Sequence, residues 1–288
     1  MTLDSVKIIG VVGAGTMGLG IAQIAALAGY NTLLYDVNNE MLEKAIQIID
    51  ENLEKGILKG KITKEQKTDT LDRITVIDDI NGLIADIVIE AIAERLDVKQ
   101  QVFAQLEKIN SSNTILATNT SSIPITQIAC KLQHPNRFVG MHFFNPAHIM
   151  KLVEVISGVD TDFSVAELIK KLAIKLGKTP VMANDSPGFI VNRVARHFYL
   201  EGLKLVEEGV ADFESIDRLV QSTGFKMGPF QLMDLIGVDT NYSVTTSMFN
   251  AFQQEAKFRP NRIQKQKVDA GHIGRKSGKG FYSYESNA

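Results

Sequence analysis

The stretch VKIIGVVGAGTMG, residues 6–18, decides the fold of this chain. Its first half is a short run rich in Val and Ile, which is typical of a buried strand, and its second half carries glycines in the spacing G-x-G-x-x-G. An apolar helical pattern follows from Thr16 to Ala28 and ends at Gly29. Strand, glycine loop and helix in this order predict the start of a Rossmann-like domain that binds a dinucleotide.

The glycine loop is expected to hold the pyrophosphate of that dinucleotide. Gly13 permits the tight turn, Gly15 lets the backbone approach the phosphates, and Gly18 lets the helix pack closely on the strand. Unpaired N–H groups at the helix N-terminus carry a partial positive charge that suits an anion. The loop residues expected to contact the cofactor are Gly13, Ala14, Gly15, Thr16, Met17 and Gly18.

Asp36 bears on which dinucleotide is bound. It stands at the end of the second predicted strand, at the spacing expected for an acid that accepts hydrogen bonds from the ribose hydroxyls. A carboxylate there repels a 2′-phosphate, and no arginine follows at once. The sequence therefore favours NAD, with NADP less suited, and the hypothesis is that Asp36 enforces this preference.

Strand-like runs alternate with helical patterns through the first half of the chain, which predicts a mostly parallel sheet covered by helices. After Ser186 the patterns become helical, beginning with a long helix over Ile190–Glu208, and only 280–284 reads as a possible extended tail. We therefore predict an α/β fold, with a Rossmann-like domain over residues 1–186 and a smaller all-α domain over 187–288. The predicted strands are Val6–Val12, Thr32–Asp36, Arg73–Ile77, Asp86–Glu90, Thr114–Thr118, Arg137–Met141 and Leu152–Ile156.

The connection between the second and third strands is too long for one crossover helix. It predicts a helical hairpin insertion near residues 40–72, whose second arm starts at a capping box over 63–66. Lysines cluster near the bend. Such a run usually forms only a solvated helix end, unless a polyanionic ligand lies close by. The lysines are Lys55, Lys59, Lys61, Lys64 and Lys67.

Composition narrows the class of protein further. The 288 residues carry a formal net charge of −2, which argues against a dedicated nucleic-acid-binding or membrane-surface protein. No apolar segment reaches membrane-spanning length. A single cysteine, Cys130, cannot form an internal disulfide, so a cytoplasmic location is expected, and Cys130 itself is expected in the core. The histidines show no metal-ligand spacing, so no zinc or iron site is expected.

His142 and Glu154 form the first candidate for catalysis. His142 directly follows a predicted strand, and Glu154 lies between valines within the next one, where a lone carboxylate is costly unless it has a partner. A carboxylate bonded to one ring nitrogen fixes the tautomer and raises the basicity of the ring, so that the second nitrogen can exchange a proton with a substrate. On this pair alone, a catalytic dyad and a structural hydrogen bond are equally supported.

Two further polar groups belong to the same part of the predicted fold. Ser121 lies in a Ser/Thr/Asn-rich segment after the fifth strand, at the sheet edge expected to carry the glycine loop. Asn192 falls in the first turn of the long helix that opens the second domain. By itself the Ser121 segment decides little, because such turns are common, and an isolated asparagine at the position of Asn192 is more often a local cap or a solvated group than a ligand.

Seven motifs in sequence order resemble those of the L-3-hydroxyacyl-CoA dehydrogenase family. The resemblance spans nearly the whole chain. The sequence looks most like the bacterial 3-hydroxybutyryl-CoA dehydrogenases of the family, because its length leaves no room for a fused hydratase region. Several long motifs in the right order are more specific than the glycine pattern alone. They are GAGTMG (13–18), ATNTSS (117–122), GMHFFNP (140–146), LVEV (152–155), DSPGFIVNR (185–193), MGPF (227–230) and GRKSGKGF (274–281).

The resemblance implies reversible oxidation of an (S)-3-hydroxyacyl-CoA to the 3-ketoacyl-CoA with NAD. It implies that His142 is the general base, that Glu154 orients it, and that Ser121 and Asn192 hydrogen-bond the reacting oxygen or the thioester end of the substrate. The lysine-rich hairpin would lean over the 3′-phospho-ADP portion of CoA, so Lys55 and Lys59 become candidate ligands. Beyond the glycine loop and Asp36, the implied NAD-site residues are Glu94, Lys99, Asn119, Ser121 and Asn145.

Two other functions stay open at this point. One is a related dehydrogenase acting on a sugar acid such as L-gulonate, which the lysine-rich hairpin disfavours. The other is a non-catalytic NAD-binding protein, which would be expected to have lost part of the His142, Glu154, Ser121 and Asn192 set. The resemblance also implies a homodimer through the helical domain. The apolar positions that suggest an interface are Val220, Phe225, Met227, Phe230, Met233 and Leu235.

Overall fold

Residues 1–284 are described by a computed structural model of the chain. They fall into two compact units, Met1–Ser186 and the residues from Pro187 onward. The first unit is built on a sheet and the second on helices, which confirms the predicted fold class. No helix among the described residues is long and apolar enough to cross a membrane.

The strands described in residues 1–284 form one eight-stranded sheet in the order β3-β2-β1-β4-β5-β6-β7-β8. Each neighbouring pair is parallel except β6 and β7, which run antiparallel. The sheet therefore has the mostly parallel character that the sequence predicts. Its strands are β1 (Ile8–Val12), β2 (Asn31–Tyr35), β3 (Ile74–Ile77), β4 (Ile87–Glu90), β5 (Ile115–Thr118), β6 (Phe138–Phe143), β7 (Leu152–Ser157) and β8 (Thr179–Asn184).

The strand β8 is absent from the sequence prediction. It lies at one edge of the sheet, paired only with β7, and its residues alternate between exposed and half-buried. Pro180 has no backbone N–H to donate to a neighbouring strand. Proline is therefore tolerated on an edge strand, which has a neighbour on one side only. A proline-containing, half-exposed segment lacks the apolar run by which the other strands were predicted.

Two smaller predictions were also wrong. His142 does not follow a strand but lies within β6, which continues to Phe143 and is buried throughout. Cys130 is exposed rather than in the core, at the end of a short helix where its Sγ donates to the backbone oxygen of Gln127. The thiol follows the last buried turn of that helix, so no core position is available to it.

The predicted helical hairpin is present. Its first arm buries Leu42, Ala45, Ile49 and Leu53, whose spacing of three and four residues places them on one face. Thr63 and Gln66 form the predicted capping box of the second arm. The helices of the first unit are α1 (Thr16–Leu27), α2 (Asn39–Leu58), α3 (Lys64–Asp72), α4 (Leu96–Ile109), α5 (Ile125–Ala129) and α6 (Phe163–Lys175).

Two buried carboxylates organise the helical unit. Asp217 accepts hydrogen bonds from the backbone N–H groups of Phe230 and Gln231, and Asp234 accepts from those of Phe281 and Tyr282. The predicted extended tail is thus fixed to the unit, although it forms isolated bridges rather than a strand. The helices are α7 (Val191–Glu207), α8 (Phe213–Ser222), α9 (Pro229–Ile236), α10 (Val238–Ala251) and α11 (Arg262–Asp269).

Candidate functional site

The glycine loop between β1 and α1 has the geometry of a phosphate-binding turn. Gly13 has a φ of +101°, and a Cβ there would lie 2.6 Å from the backbone oxygen of Ala91. A Cβ on Gly18 would lie 1.7 Å from the backbone oxygen of Gly13, whereas one on Gly15 would meet nothing within 4 Å. Gly13 and Gly18 are therefore needed for the chain's own packing. Gly15, which precedes the first turn of α1, keeps open a space that a pyrophosphate would fill.

The Asp36 carboxylate is held beside this loop. Its Oδ2 accepts a hydrogen bond of 2.7 Å from the backbone N–H of Ala14, and its Oδ1 accepts one of 3.0 Å from that of Asn38. The acid at the end of β2 and the loop at the end of β1 thus share one edge of the sheet. Thr16 and Met17, the first residues of α1, complete the segment predicted to bind the cofactor.

A buried lysine connects two carboxylates, one at the end of β4 and the other in the loop that follows it. The Lys99 Nζ lies 2.6 Å from Glu90 Oε1 and 3.4 Å from Glu94 Oε2, and the Lys99 side chain is 1% exposed. The Thr118 hydroxyl donates to the other oxygen of Glu90. Lys99 therefore acts on the site by fixing Glu94, and direct contact between Lys99 and NAD stays a prediction. Glu90 was not singled out from the sequence, in which no local motif pairs it with Lys99.

Glu94 in turn orders the loop that contains Ser121. Its Oε1 accepts hydrogen bonds from the hydroxyl of Thr120 and from the backbone N–H and hydroxyl groups of Ser121 and Ser122. Burial acts to raise the pKa of the Glu94 carboxyl, but Lys99 and these hydrogen bonds outweigh it and hold that pKa below its usual value. The carboxylate is therefore ionised and holds the Ser121 loop in one conformation.

Asn119 and Asn145 lie at the same edge of the sheet. Asn119 Oδ1 accepts a 2.8 Å hydrogen bond from the backbone N–H of Phe143, which joins the end of β5 to the end of β6. Asn145 is exposed just beyond β6 and precedes Pro146 through a cis peptide bond. Both residues stand where the sequence predicted a dinucleotide site, and their contact with NAD stays a prediction.

His142 and Glu154 are direct partners across the antiparallel pair β6–β7. They occupy opposite positions in the ladder, and His142 Nδ1 lies 2.7 Å from Glu154 Oε2. Both are buried, with side-chain exposures of 7% and 1%. A proton shared at Nδ1 directs the chemistry of the ring to Nε2, and the nearby carboxylate stabilises the imidazolium form. The predicted hydrogen bond is thus present in a geometry suited to a general base.

Asn192 belongs to the other unit, in which it is the second residue of α7. The predicted position in the first turn of a long helix is therefore observed. The other three candidate residues, Ser121, His142 and Glu154, belong to the first unit. A joint role of these residues with Asn192 stays a prediction.

Three of the five hairpin lysines, Lys55, Lys59 and Lys61, line a cavity of about 760 Å³ in the first unit, and Lys64 and Lys67 are not part of its lining. Lys55 and Lys59 come from its α2 side, as expected, and further basic groups come from the segment after β6 and from the end of α6. Burial first, and then Lys178 and Lys55, lower the pKa of His148. A cavity with this concentration of positive charge suits a polyanion. Its basic lining residues are Lys55, Lys59, Lys61, His148, Lys151, Lys175 and Lys178.

Part of this cavity lining was missed by sequence reasoning. Lys151 and Lys178 are distant in the sequence and are brought together at the paired starts of β7 and β8, and Lys175 comes from the end of α6. The Lys178 Nζ donates to the backbone oxygens of Ala147 and Met150, so it fixes the segment after β6. No local motif signals these positions. Within residues 1–284, no group of His, Cys, Asp or Glu side chains could hold a metal ion.

Comparisons with known proteins agree with this geometry. Residues 8–186 match the family model described as 3-hydroxyacyl-CoA dehydrogenase, NAD binding domain. Residues 188–284 match the model described as 3-hydroxyacyl-CoA dehydrogenase, C-terminal domain. The two matches together cover nearly the whole chain.

Individual relatives give the same result. The chain is 48% identical over 284 residues to the 3-hydroxyadipyl-CoA dehydrogenase of Escherichia coli K12, covering 98% of this chain and spanning 60% of that protein's length. It is 44% identical to a probable 3-hydroxybutyryl-CoA dehydrogenase of Bacillus subtilis, covering 97% of this chain and 98% of the relative. The crystal structure of the Ralstonia eutropha (S)-3-hydroxybutyryl-CoA dehydrogenase is 38% identical, covers 98% of this chain and 100% of its own, and superposes with a TM-score of 0.94.

Proposed function

Because this chain belongs to the 3-hydroxyacyl-CoA dehydrogenase family of NAD-dependent oxidoreductases, we propose that it interconverts short-chain (S)-3-hydroxyacyl-CoA and 3-ketoacyl-CoA. The substrate class includes 3-hydroxybutyryl-CoA and acetoacetyl-CoA. The buried hydrogen bond of 2.7 Å between His142 and Glu154 is the observation that carries the proposal, since it supplies an acid/base pair at the edge of a dinucleotide-binding sheet.

The proton half of the reaction is assigned to the dyad. In the oxidative direction, His142 Nε2 takes the proton of the C3 hydroxyl while Glu154 stabilises the imidazolium that forms. In the reductive direction, the same nitrogen returns the proton to the carbonyl oxygen. Both residues lie on rigid paired strands, which favours a fixed proton-transfer geometry.

The hydride half of the reaction needs the dinucleotide, whose nicotinamide ring accepts or supplies the hydride when NAD is bound. The glycine loop and Asp36 fit the pyrophosphate and ribose, as judged from the open space at Gly15 and the acid fixed beside the loop. Glu94 orders the loop that follows β5, and Asn119 joins the start of that loop to the end of β6. Ser121 and Asn192 are assigned to hydrogen-bond the substrate, which restricts the reacting carbon to a productive geometry.

The lysine-lined cavity is assigned to the 3′-phospho-ADP portion of CoA. Lys55 and Lys59 stand on one side of it, and the later lysines stand on the other. A compact polyanion gains from several positive charges that converge on one cavity. This also favours an acyl-CoA over a free sugar acid, which would leave those lysines without a ligand.

The test is the oxidation of NADH by acetoacetyl-CoA, followed by NADH absorbance, with the wild-type chain and with His142→Gln. The wild type should turn over, and His142→Gln should bind NADH nearly as well while losing activity by roughly 10²–10⁴-fold. L-gulonate with NAD serves as the comparison substrate. NADH binding without turnover of any 3-ketoacyl-CoA would indicate a non-catalytic protein, and a modest loss in the variant would remove His142 from its role.

We also infer that the helical unit forms a homodimer. Phe230 and Met233, which the sequence offered as interface positions, are instead fully buried in the unit's own core. Phe225 and Leu235 are 57% and 45% exposed, and Leu219 is 67% exposed. Exposed apolar side chains of this size favour a partner surface. Light scattering on the chain should give twice the monomer mass, and a monomer at micromolar concentration would rule out the dimer.

A further inference from the structure

His148 lies on the wall of the lysine-lined cavity, in a turn that other residues hold in place. Backbone N–H groups within residues 146–150 donate to the oxygen of Pro146, and the Lys178 Nζ donates to two backbone oxygens of the same turn. A Cβ on Gly20 of α1 would lie 3.4 Å from the backbone nitrogen of His148, so the turn packs directly on that helix. These contacts fix His148 through its backbone and leave its half-buried imidazole as part of the cavity wall.

The charged groups that line the cavity together with His148 are all lysines. They come from the end of α2, the bend of the hairpin, the segments before β7 and β8, and the end of α6, whereas α1 contributes apolar side chains and the neutral amide of Gln23. Within residues 1–284, no carboxylate belongs to the lining. Asp50 and Glu54 of the hairpin pair instead with Lys67, outside the cavity. The lining lysines are Lys55, Lys59, Lys61, Lys151, Lys175 and Lys178.

This surrounding charge controls the protonation of His148. Burial first, and then Lys178 and Lys55, hold the pKa of His148 below its usual value, so the imidazole is mainly neutral at neutral pH. A phosphate group in the cavity reverses the balance, because it compensates the lysine charges and accepts a charge-assisted hydrogen bond from an imidazolium. Binding of a phosphate group therefore raises the pKa of His148 and draws a proton onto the ring.

We propose that His148 is a proton-dependent ligand for a phosphate group of CoA, so that the cavity takes up a proton at this imidazole when CoA binds. The inference rests on the proposed function, which assigns the cavity to the 3′-phospho-ADP portion of CoA. It deepens that function by adding a ligand that the lysines cannot replace, since an imidazole is the side chain whose charge changes near neutral pH. His148 is thereby a binding residue for CoA and has no part in hydride or proton transfer at C3.

The linkage fixes how the affinity for CoA changes with pH. Below the pKa of His148 in the free protein, the ring is charged with or without CoA, and its contribution to affinity is complete. The contribution is lost as the pH rises from that lowered pKa to the higher pKa of the complex, and above the second value the ring is neutral in both states. His148 therefore weakens the binding of CoA progressively as the pH rises through this window.

The experiment measures the binding of free CoA by calorimetry from pH 6 to pH 8, in buffers of different ionisation enthalpy, which gives both Kd and the number of protons taken up. From pH 6 to pH 8, Kd of the wild type should rise relative to that of His148→Gln by roughly five- to tenfold, and the wild type should take up more protons than the variant. The phosphate groups of CoA and Lys178, whose pKa burial lowers, titrate in both proteins, so the difference belongs to His148. His134→Gln, exposed and outside this cavity, is the matched control and should behave as the wild type.

A second variant separates a ligand from a residue that only holds the turn. His148→Lys supplies a positive charge that does not depend on a histidine pKa, so it should bind CoA more tightly than His148→Gln at pH 8 and show the pH dependence of that variant. Dephospho-CoA identifies the phosphate group that His148 contacts. Loss of the proton uptake with dephospho-CoA assigns the imidazole to the 3′-phosphate, and retention assigns it to the diphosphate; either result supports a phosphate ligand.

The outcomes distinguish this inference from the proposed function. Equal proton uptake and equal pH dependence of Kd in the wild type and His148→Gln would overturn the inference, as would equal binding by His148→Lys and His148→Gln at pH 8. Lys59→Met tests whether CoA uses the cavity at all. If CoA does not bind, or binds equally well to Lys59→Met at low salt, the cavity is not the CoA site and both assignments are wrong. Weaker binding by Lys59→Met without an effect of His148 removes this inference alone.

Discussion

Replacing Glu154 by Gln tests the reasoning about the dyad most directly. The change conserves shape and leaves an oxygen that can accept from His142 Nδ1, but it removes the negative charge. A hydrogen bond to a charged partner is worth about 1.5–3 kcal/mol and a neutral one about 1 kcal/mol. The Glu154 side chain is 1% exposed, so solvent does little to screen the difference.

The expected loss of transition-state stabilisation is therefore about 0.5–2 kcal/mol, which corresponds to a fall in kcat of roughly 2- to 30-fold. The alkaline limb of the pH profile for NADH oxidation should also move to lower pH, because this direction needs a protonated imidazole and protonation is less favourable without the neighbouring charge. Initial rates of NADH oxidation by acetoacetyl-CoA, measured across pH, give both quantities.

Two controls separate a catalytic role from a structural one. Glu214→Gln removes a carboxylate from an exposed position on α8 and should leave rates and profile unchanged. NADH binding to Glu154→Gln should match the wild type, which shows that the sheet is intact. A normal rate with an unchanged pH profile would refute the reasoning and make Glu154 a structural residue.

Three further variants test the cofactor and CoA sites. Asp36→Ala should move the ratio of kcat/KM for NAD to kcat/KM for NADP toward NADP by roughly tenfold. Asp36→Asn can still accept the hydrogen bond from the Ala14 N–H and should move the ratio in the same direction. If steady-state kinetics show that neither variant changes the ratio, Asp36 does not set the preference for NAD. Lys59→Met should raise KM for acetoacetyl-CoA roughly three- to tenfold at low salt and less at high salt, whereas Lys131→Met, exposed and outside the cavity lining, should not. Glu94→Gln should lower the free energy of unfolding at neutral pH by about 1 kcal/mol. Because the pKa of Glu94 is lowered in the folded state, the stabilisation by its carboxylate is present above the usual pKa range of glutamate and is lost as the pH falls through the lowered pKa. Denaturant unfolding curves of the wild type and of Glu94→Gln should therefore converge in acid. A difference in stability that stays constant with pH would contradict the role given to Glu94.

The sequence predicted those features that depend on local pattern. The glycine loop, the hairpin with its capping box and the pairing of His142 with Glu154 all follow from residue types at short spacing. For this reason the fold class and the dyad could be predicted without coordinates.

Features that depend on distant segments could not be predicted in this way. Lys178 reaches the cavity only because β8 pairs with β7, and β8 itself was missed because its proline and half-exposed residues give no apolar run. Arg196 appears in the sequence as one more cation of an amphipathic helix. Its burial becomes evident only when α10 and α11 pack against α7.

The antiparallel pairing of β6 and β7 limits where residues can be inserted or deleted in this part of the chain. Successive side chains along a strand point to opposite faces of the sheet. His142 and Glu154 therefore meet only while the register that pairs them across β6 and β7 is kept. One residue inserted within β7 ahead of Glu154 would turn the carboxylate to the opposite face and leave it buried there alone. A change in length within the connection 144–151 would leave that phase intact, but it would move Asn145 and the backbone oxygens of Ala147 and Met150 that Lys178 holds. Single-residue insertions and deletions are therefore excluded from β6 and β7 in catalytically competent homologues.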